Sequence, residues 1–263
     1  MMPKTLRIDI DARGVARLTL ARPEKHNAIS AEMMDELIAA ATALGTDRGV
    51  RVIVLAGEGA SFCAGGDLGW MRAQFNAGRA ERISEARRLA TMFRALNDLP
   101  KPMIARAQGN AFGGGVGLLS ICDLVIATES ARFGLTEVRL GIIPATISPF
   151  VIARIGEGAA RPLFMSGKLI SASQAKAAGL VEHVVHAEDL DAAVEAEVAH
   201  FLKASPEAAA RAKMLGRSLG MPITDTVVES VIKQLADTWE TEEAREGIAA
   251  FFERRSPSWR RDA

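Results

Sequence analysis

The distribution of apolar and polar residues along the first half of the chain predicts strands that alternate with helices. Residues 6–10 and 15–20 alternate apolar and polar positions around residues 11–14, a pattern typical of a β-hairpin. Ser30 can cap a helix, because the apolar residues after it recur at helical spacing. Short, nearly continuous apolar runs predict buried strands at residues 50–56, 103–107 and 124–127. Such an alternation indicates an α/β fold with parallel strands.

The second half of the chain is predicted to be mostly helical. Ser171 can cap a short helix that ends at Gly179, and three apolar stripes follow at helical spacing. We therefore divide the chain into a core, residues 1–200, and a helical C-terminal region, residues 201–263. The apolar stripes of that region would either form an oligomer interface or pack onto the same subunit, and the pattern favours neither.

Composition and charge narrow the class of protein. The chain has 263 residues and a formal net charge of zero, which favours neither nucleic acid nor an anionic membrane as a partner. Its two cysteines, Cys63 and Cys122, form no Cys-x-x-Cys motif, which argues against a disulfide scaffold or a zinc site. No run resembles a signal peptide or reaches transmembrane length, and we expect a cytoplasmic protein.

Two glycine-rich stretches each follow an apolar strand and precede a helix. One contains Gly65-Gly66 and the other Gly113-Gly114-Gly115. Glycine lets the backbone approach a ligand closely, and two backbone N–H groups directed at one point can stabilise an oxyanion. The natural ligand would be a thioester or ester carbonyl that becomes an enolate. A tight packing turn is the alternative that a glycine triplet alone leaves open.

Glu137 is the candidate general acid/base. A largely apolar segment follows it, and apolar surroundings raise the pKa of a carboxyl group towards the range that suits proton transfer. The alternative is a solvated surface glutamate that pairs with Arg139. The chain has no Gly-x-Ser-x-Gly, no phosphate loop that ends in Gly-Lys-Ser/Thr and no His-Glu-x-x-His motif.

Five segments, in their order and spacing, resemble the enoyl-CoA hydratase/isomerase (crotonase) superfamily. They are residues 22–28, 62–68, 109–115, 137–144 and 171–181. The resemblance implies an α/β fold that is a spiral of ββα units with a helical C-terminal trimerisation region. It also implies an acyl-CoA thioester as substrate, no further cofactor, no metal, and assembly as a homotrimer or a dimer of trimers.

Roles for single residues follow from the same resemblance. The N–H groups of Gly66 and Gly114 would bind the thioester oxygen, and Glu137 would be the catalytic acid/base. The residues implied to contact coenzyme A or the acyl group are Lys25, Ala28, Ala64, Asp67, Leu68, Met71 and Arg254. Of these, Asp67 is expected near the adenine, Met71 in the acyl pocket, and Arg254 beside the nucleotide of a neighbouring subunit.

One departure concerns the second acid/base. The best-known hydratases have a second glutamate three residues after the middle glycine of the second loop, where this chain has Gly117. Family members with a single glutamate include Δ3-Δ2-enoyl-CoA isomerases. If the enzyme is a hydratase, the substrate's own carboxylate, Arg72 or Ser148 would help to position water in place of the missing glutamate.

A second departure concerns the substrate. Residues 144–151 replace the usual glycine-rich continuation. Together with residues 66–71 and 112–118, they resemble bacterial methylglutaconyl-CoA and isohexenylglutaconyl-CoA hydratases. We therefore expect hydration of a branched or carboxylated 2-enoyl-CoA such as 3-methylglutaconyl-CoA, a reaction of leucine degradation. An isomerase and a non-catalytic acyl-CoA-binding protein are the two alternatives.

Overall fold

The chain begins with the β-hairpin and the capped helix that the sequence predicts. In the computed structural model, which describes residues 3–260, strands β1 (Leu6–Ile10) and β2 (Val15–Leu20) pair antiparallel. Helix α1 (Ala31–Thr46) follows, and the Ser30 hydroxyl accepts a hydrogen bond from the Met33 N–H at its start. The predicted hairpin and the predicted helix cap are both confirmed.

Three successive units follow, each with one strand in a large sheet, one strand in a small sheet, and a helical segment. The first unit contains β3 (Val52–Gly57), β4 (Ser61–Cys63), α2 (Leu68–Asn76) and α3 (Arg79–Asn97). The second contains β5 (Met103–Ala107), β6 (Asn110–Phe112) and α4 (Gly114–Ile121). The third contains β7 (Leu124–Thr128), β8 (Arg132–Gly134) and α5 (Ser148–Ser166). This recurrence is the predicted series of ββα units.

The remaining elements complete both sheets and form the C-terminal helices. They are β9 (Ile170–Ser171), α6 (Ala172–Ala177), β10 (His183–Val185), α7 (Leu190–Lys203), α8 (Pro206–Leu219), α9 (Asp225–Trp239) and α10 (Glu242–Glu253). Ser171 and Gln174 form a capping box at the start of α6, as the sequence predicts for Ser171. The boundary predicted at residue 200 lies inside α7. Among the described residues, no helix combines the length and apolar character needed to cross a membrane.

The order of the strands brings the glycine-rich loops together. The large sheet has the order β1-β2-β3-β5-β7-β10, and from β2 onwards its strands are parallel. The small sheet has the order β4-β6-β8-β9, with β4, β6 and β8 parallel. Gly65-Gly66, Gly113-Gly114 and Glu137 follow these three strands. Because carboxyl ends of parallel strands lie at one edge, the three segments meet there.

The large sheet is buried on both faces. Val52, Val54 and Ile104 pack on one face against α7, while Ile53 and Leu55 belong to the main core on the other face. Covering on both sides explains the nearly continuous apolar runs of β3 and β5. The burial of these strands provides the rigid base from which the loops of the small sheet project.

Helices α9 and α10 pack on their own subunit. Ile232 of α9 contacts the cluster formed by Ala86 and Ala90 of α3, and Ile248 of α10 packs with Ile142 and Trp239. Helix α8 differs, because it exposes three large apolar side chains, Met214, Leu215 and Leu219. The apolar stripes of α9 and α10 therefore pack largely on their own subunit, whereas α8 leaves large apolar side chains exposed.

Candidate active site

Gly65 and Gly113 lie against each other where the two glycine-rich loops meet. A Cβ atom built on Gly113 or on Gly114 would lie 3.9 Å from Gly65 Cα. Gly65 and Gly113 have φ angles of 93° and 48°, which favour glycine. A Cβ atom on Gly115 would lie 2.3 Å from the Cys63 carbonyl oxygen, which excludes any side chain there. Backbone conformation and the close approach of the two loops thus explain the glycines at positions 65, 113 and 115.

The backbone N–H groups of Gly66 and Gly114 are unpaired donors. Within residues 3–260, no protein group accepts a hydrogen bond from either N–H. Gly114 begins α4, and the first N–H groups of a helix have no intrahelical acceptor. Gly66 is held by the bonds on either side of it, from Ile29 N–H to Gly65 O and from Asp67 N–H to Ile29 O. Both glycines line the same cavity, where their N–H groups suit an oxyanion.

Glu137 begins a 3-10 turn, Glu137–Leu140, that lines the same cavity. Its Oε2 atom is enclosed and has no hydrogen-bond partner within the described residues. Burial raises the pKa of the Glu137 carboxyl from 4.5 to about 7, and a hydrogen bond from its own N–H opposes that shift only in part. No ion pair joins it to Arg139. The geometry therefore favours the acid/base over the solvated surface glutamate.

The cavity has a volume of about 400 Å³ and a largely apolar wall. Its large apolar side chains come from several elements of the fold and include Ile29, Met34, Trp70, Met71, Leu89, Ile142, Leu235, Trp239 and Phe251. In residues 3–260, the charged side chains of the lining are Glu137 and Arg139. Such a cavity suits an apolar or branched group that places one polar centre beside Glu137.

Six of the ten site residues predicted from the sequence line this cavity. They are Ala64, Gly66, Leu68, Met71, Gly114 and Glu137. Lys25 and Arg254 are exposed on the surface, and Arg254 ends α10 in a left-handed conformation with φ of 56°. Ala28 is buried in the core with an exposed fraction of 7%.

Asp67 holds the loop together and does not line the cavity. Its Oδ1 atom accepts hydrogen bonds from the N–H groups of Gly69 and Trp70 at the start of α2, and its Oδ2 atom pairs with Arg22 at 2.9 Å. Burial by itself would raise the pKa of Asp67, but the Arg22 guanidinium and the two N–H donors outweigh burial and lower the pKa. In this structure its carboxylate is therefore fully engaged by protein groups.

The space beside Gly117 is filled by apolar side chains. A Cβ atom on Gly117 would lie 2.7 Å from Ile147 Cγ2 and 2.9 Å from the Phe93 ring. A glutamate at this position would have to displace one of those side chains, so their packing disfavours a second carboxylate here. This packing joins α3, α4 and the start of α5, and the sequence contains no local signal of it.

The two side chains predicted to position water are occupied elsewhere. The Arg72 guanidinium lies over the Phe252 ring, 4.6 Å from its centroid. The Ser148 hydroxyl donates to the Ala145 carbonyl oxygen at 2.7 Å. Neither residue lines the cavity, whereas Thr146, in the same unusual segment as Ser148, does.

Comparisons with known proteins agree with this geometry. A sequence profile described as Enoyl-CoA hydratase/isomerase matches residues 11–262. A Thermus thermophilus protein named as an enoyl-CoA hydratase is 36% identical over 253 residues, covering 95% of this chain and 99% of the relative. The mevalonyl-coenzyme A hydratase sidH of Aspergillus fumigatus is 35% identical over 249 residues, covering 92% and 90%.

A solved structure of an enoyl-CoA hydratase from Mycobacterium avium superposes with a TM-score of 0.88. It is 32% identical and covers 98% of this chain and 100% of that chain. The match extends over the whole α/β spiral and the C-terminal helices, which confirms the predicted fold class. The chain belongs to the enoyl-CoA hydratase/isomerase family and is an enzyme of the hydratase type.

Proposed function

We propose that this enzyme adds water to the C2–C3 double bond of a 2-enoyl-CoA thioester, with Glu137 as its single acid/base. One observation carries the proposal. Glu137, whose Oε2 atom is enclosed and has no hydrogen-bond partner, lines the same cavity as Gly66 and Gly114, whose N–H groups are unpaired within residues 3–260. Coenzyme A belongs to the substrate, and the reaction requires no resident cofactor or metal.

The reaction uses one carboxylate twice. The oxygen of a water molecule forms a bond to C3 while one water proton passes to Glu137, and the π electrons move onto the thioester oxygen as an enolate. The N–H groups of Gly66 and Gly114 stabilise that negative charge. Glu137 then returns the proton to C2. A carboxyl pKa of about 7 suits both transfers near neutral pH.

We propose a branched or carboxylated acyl group, such as that of 3-methylglutaconyl-CoA. The apolar wall formed by residues such as Leu235 and Trp239 has room for a branch, and Arg139 can receive a carboxylate. Within residues 3–260 the Arg139 guanidinium forms no ion pair with a protein carboxylate. The relative named mevalonyl-coenzyme A hydratase supports variation of the acyl group among proteins of this similarity.

The packing at Gly117 favours an isomerase as the second candidate. Moving a double bond from C3–C4 to C2–C3 needs one base that takes a proton from C2, which forms the enolate, and then delivers it to C4. The filled space around Gly117 leaves one carboxylate in the lining, which meets that requirement. Hydration needs, in addition, a group that holds water.

Three substrates separate these reactions: crotonyl-CoA, 3-methylglutaconyl-CoA and 3-hexenoyl-CoA. Hydration removes the absorbance of the 2-enoyl thioester, and isomerisation of 3-hexenoyl-CoA creates it. We expect hydration of the first two, with the larger kcat/KM for 3-methylglutaconyl-CoA. Absorbance gained from 3-hexenoyl-CoA alone, without hydration of either 2-enoyl ester, would establish the isomerase.

Arg139 provides the test for a carboxylated substrate. Arg139→Gln removes the charge and should raise KM for 3-methylglutaconyl-CoA about tenfold while leaving KM for crotonyl-CoA unchanged. Arg139→Lys keeps the charge and serves as the matched control. Equal effects of Arg139→Gln on both substrates would contradict a carboxylate at this residue.

We also propose a homotrimer or a dimer of trimers. The exposed Met214, Leu215 and Leu219 of α8 support this assembly, because large apolar side chains grouped on one helix are typical of interfaces. In such an assembly Arg254, exposed at the end of α10, would reach the nucleotide of a neighbouring subunit. Light scattering with size-exclusion chromatography measures the assembly, and a monomer would contradict both points.

A further inference from the structure

Thr146 is a buried polar residue in the cavity wall. It is 5% exposed and lines the cavity together with Glu137. Its hydroxyl forms no hydrogen bond within residues 3–260, yet its oxygen is not among the enclosed, unpartnered side-chain atoms. The oxygen is therefore accessible to water or substrate, and the cavity is the space that Thr146 lines.

The position of Thr146 follows from the turn that precedes α5. The Ala145 N–H donates to Ile143 O at 2.8 Å, and the Ser148 N–H donates to Ala145 O at 3.2 Å. These bonds fix the backbone on both sides of Thr146. The next residue, Ile147, is the one that fills the space beside Gly117. The Thr146 hydroxyl thus belongs to the segment that occupies the place of a second carboxylate.

We propose that the Thr146 hydroxyl holds the water molecule that attacks C3, together with Glu137. This inference rests on the proposed hydration. The water donates one hydrogen to Glu137 and the other to Thr146 Oγ1, which leaves a lone pair of the water oxygen directed at C3. Thr146 accepts a hydrogen bond and takes no proton. The proton lost by water passes to Glu137 and then to C2.

Other polar side chains of the lining suit this role less well. The Trp70 Nε1–H is engaged by Glu85 at 2.8 Å. The Arg139 guanidinium only donates hydrogen bonds and cannot accept one from water. Thr136 directly precedes Glu137 on the same segment. Thr146 instead supplies a hydrogen-bond acceptor from a different segment. Two acceptors from separate segments, Glu137 and Thr146, can fix the orientation of one water molecule.

Thr146→Val tests the proposal, because it removes the hydroxyl and keeps the shape of the side chain. The readouts are hydration of crotonyl-CoA or 3-methylglutaconyl-CoA, and exchange of the C2 proton of butyryl-CoA in deuterium oxide. Exchange requires Glu137 and the enolate but no attack by water. We expect kcat of hydration to fall about 10- to 100-fold, with KM and the exchange rate changed less than about twofold.

Two further variants complete the test. Thr146→Ser keeps a hydroxyl and should retain kcat within about threefold of the wild type. Thr128→Val makes the same chemical change at a buried threonine whose hydroxyl donates to the Gln108 carbonyl oxygen, and Thr128 lies outside the cavity lining. It should leave both hydration and exchange unchanged.

Three results would overturn the proposal. Wild-type hydration by Thr146→Val would show that the hydroxyl is not used. Equal losses of hydration and exchange would show that Thr146 supports the site as a whole and does not hold water. A wild-type enzyme that exchanges or isomerises but hydrates none of the 2-enoyl esters would overturn the proposed function as well, and that outcome is visible before any variant is made.

Discussion

The carboxylate of Glu137 lies directly against the backbone of Gly113. Its Oε1 atom is 2.9 Å from the position that a Cβ atom on Gly113 would take, and Gly113 itself has a φ angle of 48°. Gly113 precedes the free N–H of Gly114 at the start of α4. The acid/base and one donor of the oxyanion site therefore lie side by side on two neighbouring segments.

Gly113→Ala should separate these two parts of the site. The added methyl group would press on Glu137 Oε1, and the positive φ angle disfavours alanine. We expect kcat to fall at least about 100-fold, with thermal unfolding shifted by a few degrees. Gly158→Ala is the control, since no atom lies within 4 Å of its Cβ position. Full activity of Gly113→Ala would show that Glu137 does not depend on this contact.

The pH profile should report the buried carboxyl. In the hydration direction Glu137 must be ionised to accept a proton from water. With its pKa raised to about 7 by burial, kcat/KM should fall about tenfold for each pH unit below 7. The measurement is kcat/KM for a 2-enoyl-CoA between pH 5 and 9. A profile that stays flat down to pH 5 would contradict a buried acid/base.

Glu137→Gln should lose activity and alter the pH dependence of stability. We expect kcat to fall about 1,000-fold or more. Because the folded pKa is about 7 and the ordinary value is 4.5, the folded wild type binds more protons between these pH values. Its free energy of unfolding should therefore decrease by about 3 kcal/mol as pH rises through this window.

The glutamine variant lacks the pH dependence of stability that titration of Glu137 produces. Between pH 5 and pH 8, its stability relative to the wild type should increase by about 2.5 kcal/mol. Urea unfolding of both proteins at these two pH values measures the difference. Parallel pH dependence of the two proteins would show that the Glu137 carboxyl titrates normally in the folded state.

Gly117→Glu should fail to restore a two-carboxylate site. The new side chain would meet Ile147 and Phe93, and its charge would enter an apolar region. We expect a loss of at least about 3 kcal/mol in the free energy of unfolding. Combining it with Ile147→Gly should be less destabilising than the sum of the single changes by about 1 kcal/mol or more. Wild-type stability of Gly117→Glu would contradict the filled space.

Phe251→Ala should change the preference for the acyl group without unfolding the protein. Phe251 lines the cavity but is 44% exposed, so its loss removes apolar wall at a small cost in stability. We expect kcat/KM for long or branched acyl groups to fall about tenfold and kcat/KM for crotonyl-CoA to change little. Ile10→Ala, at a residue that is 47% exposed and outside the lining, is the control.

Features that depend on neighbouring residues were predictable from the sequence. The Ser30 cap, the Ser171 capping box and the first hairpin each arise from hydrogen bonds between residues close in the chain. The short strands β4 and β6 were not predicted, because three residues carry too little alternation to mark a strand. They lie within or beside the glycine-rich stretches, and their parallel pairing is what aligns those stretches.

The sequence by itself determined the chemical parts of the site: two glycine-rich turns, one glutamate, and a glycine where a second glutamate would stand. Tertiary structure alone decided how they are used. Packing of Phe93 and Ile147 closes the space at Gly117, and burial shifts the pKa of Glu137. Helices α9 and α10 fold back to line the cavity with Leu235, Trp239 and Phe251. These properties depend on distances and desolvation among residues far apart in the chain, which local patterns do not encode.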